Sequence, residues 1–171
     1  MPTTHIAETE RLALRELNEG DAAFILQLLN EPGWLRFIGD RGIRSEEGAR
    51  EYIVHGPVAM YRRLGFGLYA VVRKADGIAI GVCGLIKRET LDDVDIGFAF
   101  LERHGEMGYA FEAADAVMAR AREVLGLKRV VAITSVDNEK SIRLLQKIGL
   151  RFEKLIRLAG DDEDVRLFST G

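Results

Sequence analysis

The chain is poor in several residue types, and each scarcity excludes something. Its single cysteine, Cys83, rules out an internal disulfide and a cysteine-based zinc cluster. The three histidines, His5, His55 and His104, are scattered without metal-ligand spacing, so no metal is expected. No repeat, low-complexity tract or linker is visible. No apolar run approaches the roughly 18–20 residues of a membrane span, so no membrane partner is expected. The opening MPTTHIAETERLALREL lacks the charged-then-apolar layout of a secretory signal, which points to the cytoplasm. Neither charge sign dominates: 24 basic residues face 27 acidic ones, a net charge of −3. A general nucleic-acid binder needs a broad basic field, and none is present.

What is present fits an ordinary globular protein. The chain has 171 residues, 47% of them apolar, which suits one domain spanning residues 1–171. RLALREL (11–17) reads as a strand, with Leu12, Leu14 and Leu17 apolar. Asn18 to Asp21 is a helix-start signal, followed by Phe24, Ile25, Leu28 and Leu29 at helical spacing. Glu31-Pro32-Gly33 reads as a stop, and WLRFIGDRGIR after it as irregular. Ser45 opens a second helix toward Tyr61, which Pro57 is expected to kink or split. Strands are expected at 65–73, 78–86 and 94–101, joined by turns at 75–77 and 91–93, as an antiparallel meander. A β-α-β-α run follows: strand 94–101, helix 108–125, strand 129–134 and helix 138–148. Strands 151–157 and 165–169 close the chain around the turn 160–162. The fold class is therefore a mixed α/β sheet, an antiparallel meander and then one parallel pair, with helices on both faces. Ligands in such sheets sit at strand C-termini and helix N-termini. Two helix starts qualify here, near Gly108 and at Asn138.

The most informative stretch is GFAFLERHGEMGYAFEAA (97–114). An apolar strand enters a two-glycine loop and then an alanine-rich helix. Free backbone N–H groups and the positive end of the helix dipole converge there, which suits a pyrophosphate. The loop carries Glu106 and no lysine, and Arg103 is its only nearby base in sequence.

Three segments in order resemble the GNAT N-acetyltransferases, specifically the branch of ribosomal-protein N-terminal acetyltransferases. TERLALREL is similar to that branch's opening. GFAFLERHGEMGYAFEA lies ungapped on the pattern GYWLLPEYWGKGYATEA. ITSVDNEKSIRLLQKIGLRFE is similar to its NxxSxRLLEKLGF segment. The family's phosphate loop, Q/R-x-x-G-x-G/A, falls on Gly105, Glu106, Met107, Gly108, Tyr109 and Ala110. Gly108 and Ala110 match, whereas Gly105, Glu106 and Met107 depart from the usual residues. The resemblance implies acetyl-CoA as co-substrate, its pyrophosphate on the backbone N–H groups of residues 105–110. The pantetheine would then run along the strand at Phe98 and Phe100.

Glu106 is the discordant residue. At about 6 Å a like-charge pair costs roughly 0.7 kcal/mol in water and about 3 kcal/mol at an effective dielectric of 20. A helix terminus contributes about 0.3–1 kcal/mol, up to ~2 when partly buried. A side chain turned into the loop would thus cancel the dipole's help. The expectation is a side chain turned to solvent, with main-chain donors doing the binding.

The resemblance also places Asn138 and Ser141 beside the cofactor. Asn138 doubles as a good N-cap, with Gly149 a good residue just past the helix. Ser141 would protonate the departing thiolate, directly or through water. The tyrosine that many GNAT enzymes carry four residues further on is Leu145 here. Asp95 occupies the position of an acidic residue in the branch's AEIGY strand and is the candidate general base. An outward, solvated strand position is its alternative, and Glu89 and Asp93 are weaker candidates for the base. Cys83 reads as a buried, inert thiol, His104 as a surface side chain without a partner, and Arg62-Arg63 as a solvated helix face. Trp34, Phe37, Tyr52 and Tyr69 are candidates for an acceptor pocket or for the core.

The reading is an acetyl-CoA-dependent N-acetyltransferase acting in a ternary complex. Its acceptor would be a primary amine, either a protein N-terminus or a small amine, and a homodimer is left open. The mild acidity slightly favours a cationic acceptor. The alternatives are a non-catalytic acyl-CoA-binding protein of the same fold and an interaction module that has lost the cofactor.

Overall fold

A computed structural model describes residues 4–105 and 107–171. Among them eight strands form one sheet: β1 (His5–Glu8), β2 (Leu12–Glu16), β3 (Leu68–Arg73), β4 (Ile78–Ile86), β5 (Asp95–Phe100), β6 (Val131–Ser135), β7 (Arg151–Ile156) and β8 (Val165–Ser169). The order across the sheet is β1-β2-β3-β4-β5-β6-β8-β7. Every neighbouring pair is antiparallel except β5 and β6, which run parallel.

Alternation along the strands feeds two cores. On one face Leu12, Leu14, Tyr69, Val71, Cys83, Leu85 and Ile96 pack against α5 (Tyr109–Glu123) and α6 (Glu139–Lys147). On the other, Ala70, Val82 and Ala99 meet α1 (Ala22–Leu29), α2 (Pro32–Phe37) and α3 (Glu46–Ile53). α4 (Ala59–Leu64) follows α3 through a widened π-type turn at Val54–Val58 that contains Pro57. Pro57 thus opens one turn without breaking the helical path, because a wider turn accommodates its missing N–H.

The local signals behave as their chemistry requires. Asn18 caps a short 3-10 turn, and Asp21 returns a carboxylate to the Asn18 N–H at 2.9 Å. Asp21 also takes two bonds from Arg15, at 2.7 and 2.8 Å. Ser45 caps α3 through the Gly48 N–H at 3.0 Å.

Two expectations need correcting. Pro32 starts α2 rather than ending the region, because proline at the first helical position forfeits only an N–H that has no partner there. The short edge strand β1 was not foreseen, since its four residues, HIAE, carry little periodicity.

Candidate active site

Only one rung joins β5 to β6, Asp95 opposite Val131, with the Val131 N–H on the Val94 carbonyl at 3.0 Å. Beyond it the strands part. A cavity of about 1230 Å³ opens there, lined by both strands, the loop before α5, the first turns of α6, and α2 and α3 from the opposite face.

The loop before α5 is held from a distance. Leu101 leads into a 3-10 turn (Glu102–His104), and the Gly105 N–H donates to the Glu102 carbonyl at 3.0 Å. That N–H is therefore engaged in the turn. Gly108 caps α5 at φ +79, and the first intrahelical bond runs from the Glu112 N–H to the Gly108 carbonyl. The N–H groups of Gly108, Tyr109, Ala110 and Phe111 are the ones helix geometry leaves without an intrahelical acceptor. Gly108, Ala110 and Phe111 line the cavity. Met107 is exposed, whereas the Tyr109 side chain is buried and does not line the cavity. The reading of Glu106 lies outside the described residues.

Arg103 is not the only base near this loop. Arg11, at the edge of β2, sends Nη1 to the Met107 carbonyl at 2.9 Å and Nε to Glu112 at 2.7 Å. Its guanidinium lies over the Tyr109 ring at 4.4 Å. A Cβ on Gly108 would stand 3.3 Å from that guanidinium, so close approach and positive φ both call for glycine there. From α6, Lys147 sits over the Phe111 ring at 5.5 Å. Sequence reasoning missed Arg11 because 96 positions separate it from Met107.

Asp95 is 1% exposed, which excludes the outward, solvated alternative. It sits on the cavity wall and accepts from Arg88 Nε at 3.2 and 3.4 Å. Burial pushes its carboxyl above the ordinary value, while Arg88 and Lys87 pull the other way. Asp93 instead pairs with Arg129 at 3.0 Å. Asn138 caps α6, its Oδ1 accepting from the Ser141 N–H at 3.3 Å. Both residues line the cavity, as do Phe98 and Phe100. Leu145 is buried.

On the other flank, Trp34, Phe37 and Tyr52 line the cavity. Tyr69 does not; it stacks on Tyr61 in the core, ring centroids 5.4 Å apart. Cys83 is buried, and burial pushes its thiol far up, which removes it as a nucleophile. His104 is not a surface group without a partner. Its Nδ1 meets Arg73 at 3.4 Å and, since arginine only donates, Nδ1 must accept. Burial and then Arg73 and Arg103 lower its pKa, so the ring stays neutral.

Residues 11–151 match the acetyltransferase (GNAT) domain family. The chain belongs to the GNAT acetyltransferases. As a member of that family it is an acetyl-CoA-dependent acyltransferase. This GNAT protein is 29% identical over 153 residues to YoaA of Bacillus subtilis, named an uncharacterized N-acetyltransferase, covering 89% of this chain and 86% of YoaA. An acetyltransferase structure from Agrobacterium tumefaciens is 26% identical and superimposes with a TM-score of 0.80, over 99% of this chain and 94% of the other. The ribosomal-protein alpha-N-acetyltransferase RimL, in complex with coenzyme A, shares the fold at 21% identity and a TM-score of 0.81, with 96% of each chain covered.

Proposed function

We propose that this GNAT protein acetylates a primary amine, a protein N-terminus or a small amine, by direct attack within a ternary complex. The observation that carries this reading is Asp95, a buried carboxylate on the cavity wall at the only rung joining β5 and β6.

The anion site would take the pyrophosphate on the N–H groups of residues 108–111, with Arg11 offsetting its charge. The pantetheine would lie along the open edge of β5 at Phe98 and Phe100. With its Oδ1 engaged by Ser141, the Asn138 amide still has its N–H pair for a carbonyl. The thioester carbonyl then comes within reach of an amine on the Asp95 side.

An amine with pKa near 8–10 is mostly protonated at pH 7, so a base is needed. Asp95 takes the proton. The amine nitrogen attacks the thioester carbonyl, a C–N bond forms, and the C–S bond breaks. The thiolate leaves and receives a proton from Ser141, directly or through water, and the second proton shed by the acetylated nitrogen passes through water to restore the Ser141 hydroxyl. A raised carboxyl pKa suits Asp95 to this work, since a more basic carboxylate holds the proton better.

Calorimetry with acetyl-CoA and thiol release on an amine panel test the reading. Binding followed by amine-dependent thiol release is expected. No binding at millimolar acetyl-CoA would overturn it, and binding without thiol release on any amine would leave a non-catalytic binder instead.

A further inference from the structure

The wall of the cavity opposite α6 carries an arrangement that amine transfer alone does not require. Arg41 and Arg88 both line it, with Tyr52 and Trp34. Arg41 is exposed and makes no ion pair among the described residues, so its charge is uncommitted. Arg88 gives Nε to Asp95, and its side chain is 33% exposed, which leaves its outer nitrogens reachable. The charges that reach the Tyr52 hydroxyl are those of Arg41 and Arg88, both cationic. Trp34 is 7% exposed, and its buried Nε1 has no hydrogen-bond partner. A buried donor without an acceptor is uncommon in a folded protein.

Beside Tyr52 the nearby charges are the two guanidinium groups, Arg88 already bonded to Asp95 and Arg41 not. Glu31, Glu102 and Arg36 line the cavity further from Tyr52, with Glu102 holding the Gly33 N–H at 3.2 Å and Arg36 reaching Asp137 at 3.5 Å. An amine attacks in its neutral form. A neutral amine that also bears a carboxylate carries one negative charge and matches the Arg41 and Arg88 pair. A polyamine, cationic even after losing one proton, is repelled by that pair. The position of Arg88 against Asp95 sets the two poles side by side, as an ammonium and a carboxylate lie in an amino acid.

We infer that the acceptor is a small amine carrying an oxyacid anion close to its nitrogen, the anion held by Arg41 and Arg88 beside Tyr52 and the amine directed to Asp95. This rests on the amine acetylation proposed above and narrows its acceptor.

The test is thiol release from acetyl-CoA with matched acceptors: free α-amino acids, their carboxamides, the corresponding aminophosphonates, peptides with free N-termini, and spermidine. A free amino acid or an aminophosphonate is expected to exceed its uncharged counterpart by at least about tenfold in kcat/KM, as at sites built around a polar group. The two anionic arms separate a carboxylate from a phosphorus oxyacid. Arg41→Gln is expected to raise the acceptor KM about tenfold, the loss of one charged hydrogen bond, while the KM for acetyl-CoA holds. Carboxamides, peptides or spermidine turning over as well as the anionic acceptors would overturn the inference, as would an Arg41→Gln acceptor KM equal to that of the parent. Either result leaves amine acetylation standing. Thiol release with none of the amines would instead bring down the underlying reading.

Discussion

The Arg11 guanidinium and the Glu112 carboxylate, 101 positions apart, meet at 2.7 Å beside the loop that opens α5. The Arg11 N–H adds a second bond to the same carboxylate at 2.9 Å, and the Thr9 hydroxyl a third contact. Through Arg11 the start of β2 therefore fixes the Met107 carbonyl and brings a positive charge to the loop before α5. Arg11→Ala is expected to weaken coenzyme A binding a few-fold to about tenfold, the scale of a helix-terminus or surface charge. Because the thioester is remote from it, kcat at saturation should hold. Arg11→Lys should recover only part of the affinity, since an ammonium cannot bond Met107 and Glu112 while lying flat on Tyr109. Calorimetry with coenzyme A checks both, and equal affinity in all three proteins would count against the role.

The same pair sets an acid limit. Burial pushes the Glu112 carboxyl up, but Thr9, the Arg11 N–H and the Arg11 guanidinium together bring it below its ordinary value of 4.5. A folded-state pKa below the unfolded one gives stability that is present above the unfolded value and disappears as pH falls through the folded one. The stability gap between the parent and Glu112→Gln should thus be full near neutrality and shrink below about pH 4. Denaturant titration at a series of pH values measures it.

For Asp95 the sign is reversed. Burial raises its folded pKa above the ordinary 3.8, so ionising it disfavours the folded state, and its contribution to stability falls as pH rises. Activity runs the other way, because the base must be ionised. The acid limb of kcat/KM should lie above the ordinary aspartate value. Arg88→Gln, which removes a group that lowers the Asp95 pKa, should move that limb further up. Asp95→Asn should abolish the limb and lower kcat about 10²–10⁴-fold, the range for general base catalysis. A limb unmoved by both changes would mean that another group supplies the base.

Two structural predictions lie outside the cavity. Tyr61 Oη accepts from the buried Leu17 N–H at 3.0 Å and donates to the Leu68 carbonyl. Tyr61→Phe strands that N–H and should cost about 1–3 kcal/mol in chemical denaturation, with no change in coenzyme A affinity.

Gly84 is tighter still. A Cβ there would stand 2.0 Å from the Gly67 carbonyl oxygen, a backbone atom that cannot swing aside. Gly84→Ala should cost at least the upper part of the about 1–3 kcal/mol typical of overpacking. A stability equal to the parent's would show that β3 and β4 separate more easily than their pairing suggests.

These cases show which parts of the protein could be read from the sequence. The strands of the meander and helices α5 and α6 were visible because apolar periodicity and caps such as Asn138 act within a few residues. The loop that opens α5 was visible because Gly108, at positive φ, is itself its signal. Pro32 was ambiguous, since proline both stops one helix and starts another, and only packing around Trp34 decides between them. Arg11 and the His104–Arg73 contact depend on chain segments meeting across the fold, and the Arg88–Asp95 pair, seven positions apart, on the β4–β5 connection turning the two side chains together. Periodicity holds no record of such meetings.

The parting of β5 from β6 has a consequence for what the cleft admits. Beyond Asp95 the inner flank of β5 is a strand edge, with the unpaired groups that on a protein's outside recruit other chains. Here that edge is recessed between two strands of one sheet, where no folded partner can approach it. A guest must be slender, extended and rich in amide-like groups to use it, in effect a removable strand. Selectivity for a linear carrier molecule is thus a matter of clearance as much as of contact, settled before any side chain in the cleft makes a choice.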